Sequence, residues 1–184
     1  DAEPVVVLTK ADRCDADELE RDLDRVHRLV GPDVRVIVTS SAKGRGLDEV
    51  RVCVPAGSCA MILGESGAGK STLLNALLGH DTLATGGVRE RDDQGRHTTV
   101  ARVMVALPGE AGVIADAPGL RSLPLVGHER GLARAFPEIV EASRACRFGD
   151  CTHTHEPGCA VREAEDAGQI DSLRLETFQN LASS

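Results

Sequence analysis

One short segment restricts this chain more than any other. Residues Gly64-Glu-Ser-Gly-Ala-Gly-Lys-Ser-Thr72 match the phosphate-loop pattern G-x-x-x-x-G-K-[ST], with Gly64, Gly69, Lys70 and Ser71 at its fixed places. Such a loop points successive backbone N–H groups inward at phosphate oxygens. Side chains at its glycines would obstruct that approach, and Glu65, Ser66, Gly67 and Ala68 complete the turn. Lys70 would reach the outer phosphates and offset charge as the terminal one leaves, and the Ser71 hydroxyl would ligate Mg²⁺. The flanks agree. Cys59-Ala-Met-Ile-Leu63 reads as a buried strand entering the loop, and Thr72-Leu-Leu-Asn-Ala-Leu-Leu78 as a helix leaving it, stopped by Gly79. The phosphates would then rest on a helix N-terminus.

Two strand–loop units precede this motif. Glu3-Pro-Val-Val-Val-Leu8 is an apolar run expected as a parallel strand, and it delivers Thr9-Lys10-Ala11-Asp12. A polar helix is expected from Asp15 to Leu29, with Leu19, Leu23, Val26 and Leu29 along one face, ended by Gly31-Pro32. Val34 to Val38 is a second strand and delivers Ser40-Ser41-Ala42-Lys43. A carboxylate at a strand end, as Asp12 would be, accepts from the ring N1–H and exocyclic amine of guanine, a donor pair that adenine lacks. Lys10 can lie along the base, and the Ala42 N–H can donate to the guanine carbonyl oxygen. Each element alone is a weak signal; beside a phosphate loop they form a base-recognition set.

Beyond the loop helix, residues 82–95 are rich in Gly, Asp and Arg and read as a surface segment ending in Arg96-His97-Thr98-Thr99. Ala101 to Leu107 and Gly112 to Ala115 read as two strands joined by a turn. The second delivers Asp116-Ala-Pro-Gly119. Asp116 can hold Mg²⁺ through water, the Gly119 N–H can bond the terminal phosphate, and Thr98 or Thr99 can close over the same ion and phosphate. Leu120 stands where many GTPases carry a water-orienting Gln. His97 is the nearest titratable residue for that role, its alternative being an ordinary exposed loop histidine.

These motifs have the order of a circularly permuted Ras-like G domain, because T-K-A-D and S-A-K come before the phosphate loop. The tail Cys146-Arg-Phe-Gly-Asp-Cys151-Thr-His153-Thr-His-Glu-Pro-Gly-Cys159 adds a second signature. Together they resemble the RsgA/YjeQ family of permuted GTPases over nearly the whole chain. The resemblance implies a GTP hydrolase of low intrinsic activity that acts in maturation of the small ribosomal subunit and is stimulated by it. The implied cofactors are GTP/GDP, magnesium and zinc. The implied partners are the small ribosomal subunit and its rRNA. The implied fold is an α/β P-loop domain over 1–126, followed by a small helical zinc-binding domain over 127–184.

Three departures from the family pattern stand out. The N-terminal OB barrel is absent. So are the first strand and helix of the G domain, a strand that ordinarily lies beside the phosphate-loop strand. The remainder of the protein is accordingly expected before Asp1, and the flanks of the missing strand are expected to lack a shared neighbour. Finally, Thr9 stands where Asn is commonest; it keeps a hydroxyl, so nucleotide binding is expected to survive.

Cys146, Cys151, His153 and Cys159 supply three sulfurs and one nitrogen, a set suited to tetrahedral Zn²⁺ with no open position and hence a structural role. His155 is the competing nitrogen, and the family pattern favours His153. Helices are expected from Leu132 to Ser143 and from Ala160 to Leu181, packed around the metal loop. A net charge of −8 argues against a broad basic surface, though not against a local basic patch. No apolar run approaches the ~18 residues of a membrane span. The expected state is a cytoplasmic monomer with no membrane association.

Two rival readings remain. One is an ABC-type ATPase, which shares the phosphate loop but requires an L-S-G-G-Q element and a Glu after the Asp, neither present here. The other is a zinc-dependent RNA-binding module with a vestigial nucleotide site, against which Lys70, Ser71 and Asp116 argue.

Overall fold

The computed structural model describes residues 2–80, 103–109, 111–116 and 129–183. The chain divides into two compact units, one of residues 1–20 with 35–123 and the other of residues 21–34 with 124–184.

In the first unit, β1 (Val5–Leu8) and β2 (Arg35–Val38) pair in parallel, with Val5 opposite Arg35 and Leu8 opposite Val38. Parallel neighbours need a crossover, which α1 (Ala16–Val30) supplies. Its Leu19, Leu23, Val26 and Leu29 are half-buried while most of the charged positions between them are exposed, as the apolar spacing predicts. A 3₁₀ turn over Ser41–Lys43 and α2 (Leu47–Val52) lead to β3 (Cys59–Ile62). The phosphate loop then opens α3 (Lys70–Leu78), which ends on Gly79 in the left-handed conformation at φ 78°, with its N–H bonded to Asn75 O. Next, β4 (Val103–Ala106) runs antiparallel to β5 (Val113–Asp116), which is parallel to β3, so the order is β3-β5-β4.

Among the described residues the strands form two separate sheets. Within them β1 pairs only with β2 and β3 only with β5. One face of α3 bridges them: Leu73, Leu74 and Leu77 are buried in a core that takes in Ile37 of β2 and Ile114 of β5. Fully burying each such side chain stabilises by about 1.5–3 kcal/mol. On the opposite face of the three-stranded sheet Met61 and Met104 are exposed on either side of Ala115.

The second unit is helical. Each of the two expected helices is split in two. The first gives α4 (Glu129–Ala135) and α5 (Pro137–Ser143), because Pro137 has no N–H to continue the ladder and so begins a new helix. The second gives α6 (Ala160–Asp166) and α7 (Ser172–Ala182): Gly168 adopts φ 71°, and the Asp171 carboxylate then caps the new helix by accepting from Leu173 N. Phe136, Ile139, Val161, Ile170 and Leu175 form its core, with Phe178 edge-on to Phe136 at 5.7 Å. The C-terminal half of α1 clusters with these helices. The Arg28 guanidinium bonds Asp171, and Arg174 donates to Leu29 O at 2.7 Å.

Candidate nucleotide site and metal centre

The phosphate loop curls because Gly64, Gly67 and Gly69 all take positive φ, and at Gly69 an added Cβ would meet Thr9 Oγ1 at 3.4 Å. That close approach brings the T-K-A-D loop onto the phosphate loop. Thr9 Oγ1 donates to Ala68 O at 2.6 Å, and Lys10 Nζ donates to Gly67 O at 2.5 Å. Lys10 itself sits at φ 61°, a turn that lets its side chain fold back over the loop. Lys70 Nζ lies against Gly64 O at 2.7 Å and Glu65 O at 2.9 Å. Among the described residues neutral carbonyls, not a carboxylate, hold it.

The base-recognition set converges on the same place. Thr9, Lys10, Asp12, Arg13, Ser41, Ala42, Gly69 and Thr72 line one cleft of about 80 Å³. Asp12 is oriented by Ser40, whose hydroxyl donates to Asp12 Oδ1 at 2.6 Å and whose oxygen accepts from Lys43 N. The Ser40 bond, more than any other influence, holds the Asp12 carboxyl below its ordinary range and so keeps it a pure acceptor. Ser40, named in the second element but given no role there, and Arg13, which the motif reading did not name, join the site. The available signal for Ser40 was a small polar residue at the end of a predicted strand, directly before Ser41; for Arg13 there was none.

Asp116 closes β5 directly opposite Ile62, the last residue of the strand that feeds the phosphate loop. Its Oδ1 is buried with no hydrogen-bond partner among the described residues. A buried, orphaned carboxylate oxygen on the strand beside the one that feeds the phosphate cradle fits a hydrated divalent cation. His97, Thr98, Thr99, Gly119 and Leu120 lie outside the described residues.

In the helical unit, one atom from each of Cys146, Cys151, His153 and Cys159 lies within 4.8 Å of the others. The Cys146 and Cys159 sulfurs are 3.9 Å apart, and His153 Nδ1 is 3.6 and 3.4 Å from them. Bonds of about 2.3 Å to sulfur and 2.0 Å to nitrogen set tetrahedral edges of about 3.5–3.8 Å, so the group is sized for zinc. Burial pushes the Cys146 thiol up, but the N–H groups of Val161 and Ala160 at the start of α6, with the neighbouring thiols, bring it below its usual value. Burial, with repulsion from Cys159, drives Cys151 up to about 11. Burial also lowers His153, favouring the neutral ring that can ligate a metal. His155 is turned elsewhere, its Nδ1 on Thr154 Oγ1 at 2.8 Å. Bonds from Thr152, its hydroxyl first, hold the Glu156 carboxyl well below the usual range.

Comparison with known proteins agrees with both halves of the chain. The family model for the RsgA GTPase matches residues 1–126. The small ribosomal subunit biogenesis GTPase RsgA of Streptomyces avermitilis is 48% identical over 181 residues, covering 98% of this chain and 48% of its own length. The chain thus spans about half the length of the curated relatives it matches. The crystal structure of YjeQ from Thermotoga maritima aligns at TM-score 0.68 and 27% identity over 99% of this chain and 61% of that one. YloQ, described as a circularly permuted GTPase, aligns at TM-score 0.62 and 24% identity over 98% of this chain and 56% of its own, a likeness of fold. A permuted α/β phosphate-loop domain followed by a Cys/His cluster is therefore this chain's architecture, and the chain belongs to the RsgA GTPase family.

Proposed function

We propose that this chain binds Mg²⁺·GTP and hydrolyses its terminal phosphate during maturation of the small ribosomal subunit, with that subunit and its rRNA as partners in the cytoplasm. The observation that carries the reading is the cleft shared by Asp12, Ala42 and Gly69. Segments far apart in sequence and rotated in order meet where a guanine attached to a cradled phosphate would lie.

In this reading Asp12 accepts from guanine N1–H and the exocyclic amine, and Ala42 N–H donates to the base oxygen. Thr9 and Lys10 set the height of the phosphate loop beneath the base. The loop N–H groups and Lys70 grip the phosphates. Ser71 and Thr99, with Asp116 through water, would hold Mg²⁺, which would supply neutralisation of phosphate charge. Gly119 bonds the terminal phosphate, and His97 orients the attacking water. Zinc on Cys146, Cys151, His153 and Cys159 is structural, since all four positions are filled by protein. The name borne by the curated relatives supports the ribosomal role.

Exchanging Asp12→Asn tests the base reading. An amide offers one acceptor and one donor, which complements the N1–H and O2 of xanthine. GDP affinity should fall on the order of a hundredfold, because a site built for a donor pair penalises a mismatch, while XDP binding rises. ATP displacing GDP from the unmodified chain, or Asp12→Asn binding GDP as before, would overturn the assignment in favour of an ATPase or a vestigial site. Turnover at saturating small subunits, slowed by His97→Ala, tests the hydrolytic part.

A further inference from the structure

Two histidines compete for the zinc position, and the hydrogen bonds around Glu156 separate them. The Glu156 carboxylate accepts from four donors on the loop just before it. Oε1 takes Thr152 N at 2.9 Å and Thr152 Oγ1 at 2.5 Å. Oε2 takes Thr154 N at 3.0 Å and His155 N at 3.1 Å. The residues that flank His153, from Thr152 to His155, are thereby folded around one anion.

The consequence for the two imidazoles is opposite. Thr154 Oγ1, itself bonded to Thr152 Oγ1 at 2.8 Å, holds the His155 ring by its Nδ1, on the exposed side of the loop. His153 takes the left-handed conformation at φ 60°, which turns its ring inward, and Gln179 of α7 fixes that turn by donating to His153 O at 2.6 Å. A non-glycine residue in this conformation persists where its surroundings enforce it.

We propose that Glu156 is a positioning residue that shapes the metal loop and selects His153 over His155 as the nitrogen ligand. This rests on reading the Cys/His cluster as a zinc site. Its role is distinct from ligation: no oxygen of Glu156 belongs to the four-atom group. By ordering the loop through its backbone, Glu156 reduces the ordering that metal binding must impose, which raises affinity without a new metal bond.

The test uses the full chain, with zinc affinity measured by competition against a chromogenic chelator and the ligand set read from the visible spectrum of the cobalt(II) form. The unmodified chain binds one zinc and gives the intense bands of tetrahedral three-sulfur, one-nitrogen cobalt; failure here removes the zinc reading itself. Glu156→Gln weakens zinc binding on the order of tenfold, within the range for partners that orient ligands. Thr152→Val, which keeps the shape and removes one donor, weakens it a few-fold. His155→Ala leaves the affinity of the unmodified chain unchanged. In the Glu156→Gln background, however, His153→Ala retains a nitrogen-bearing cobalt spectrum that His155→Ala then abolishes. Zinc affinity and cobalt spectra unchanged in both Glu156→Gln and Thr152→Val overturn the proposal. Should Glu156→Gln fail to fold, unchanged affinity in Thr152→Val decides against it alone.

Discussion

Replacing Arg174 by Met keeps the aliphatic stem and removes a guanidinium that three segments share. The Arg174 side chain is 11% exposed. Nε donates to Glu138 Oε1 at 2.5 Å, Nη1 to Leu29 O and Nη2 to Ala135 O, both at 2.7 Å, while the head group sits 4.9 Å over the Phe136 ring. The two carbonyls close α1 and α4, where no helical partner remains for them. A charged donor to the part-buried Leu29 carbonyl is worth about 1.5–3 kcal/mol. The exposed Ala135 bond is worth less, since water replaces it. Glu138 is 34% exposed, so its pairing is discounted to about 1 kcal/mol. The ring contact adds about 0.5–1 kcal/mol. The loss on Arg174→Met should be about 3–4 kcal/mol, or roughly a hundredfold or more in local opening, since 1.4 kcal/mol is tenfold. Hydrogen exchange followed by mass spectrometry reads this directly, as lost protection in peptides covering 27–31 and 132–140. Peptides from β3 and α3 should be unaffected. A cycle with Glu138→Gln should return about 1 kcal/mol of coupling. A change below threefold in the first two peptides would refute the shared anchoring.

Three further outcomes follow from single contacts. Thr9→Val removes the hydroxyl that reaches Ala68 O, and should weaken GDP binding roughly tenfold with guanine preference intact, as titration calorimetry would show; undiminished affinity would mean the phosphate loop holds its shape without the strut. Ser40→Ala releases Asp12 Oδ1 and should weaken GDP several-fold while leaving inorganic pyrophosphate binding unchanged; equal loss of both would assign Ser40 to general folding. The hydrogen bond from Arg28 sets Asp171 below its ordinary 3.8, helped by Leu173 N. A depressed folded-state value means the pair stabilises fully above about pH 5 and fades as pH falls through 3.8 and below. Arg28→Ala should therefore lower the melting temperature near neutral pH and flatten the acid limb of a pH–melting curve; an unchanged acid limb would show the pair to be inert.

Much of this was legible because the governing physics is local. A phosphate loop is a run of backbone conformations, and Gly64, Gly67 and Gly69 announce it. The strand before it and the helix after it follow from an apolar run and from Gly79. Metal ligands announce themselves through chemistry and short spacing, so Cys146, Cys151, His153 and Cys159 could be named together. The same spacing left His153 and His155 competing, because gaps of one and of three intervening residues after Cys151 both let an imidazole reach a metal.

What sequence order determined by itself was the identity of the groups: a cradle for phosphates, a carboxylate and an N–H for a base, three thiols and an imidazole for a metal. Tertiary structure decided their arrangement, because it depends on bonds between residues tens of positions apart. Thr9 on Ala68, Ser40 on Asp12, Arg174 on Leu29 and the turn of His153 under Gln179 leave no periodicity behind. The same reason explains the attachment of half of α1 to the second unit, which apolar patterning along one segment cannot convey.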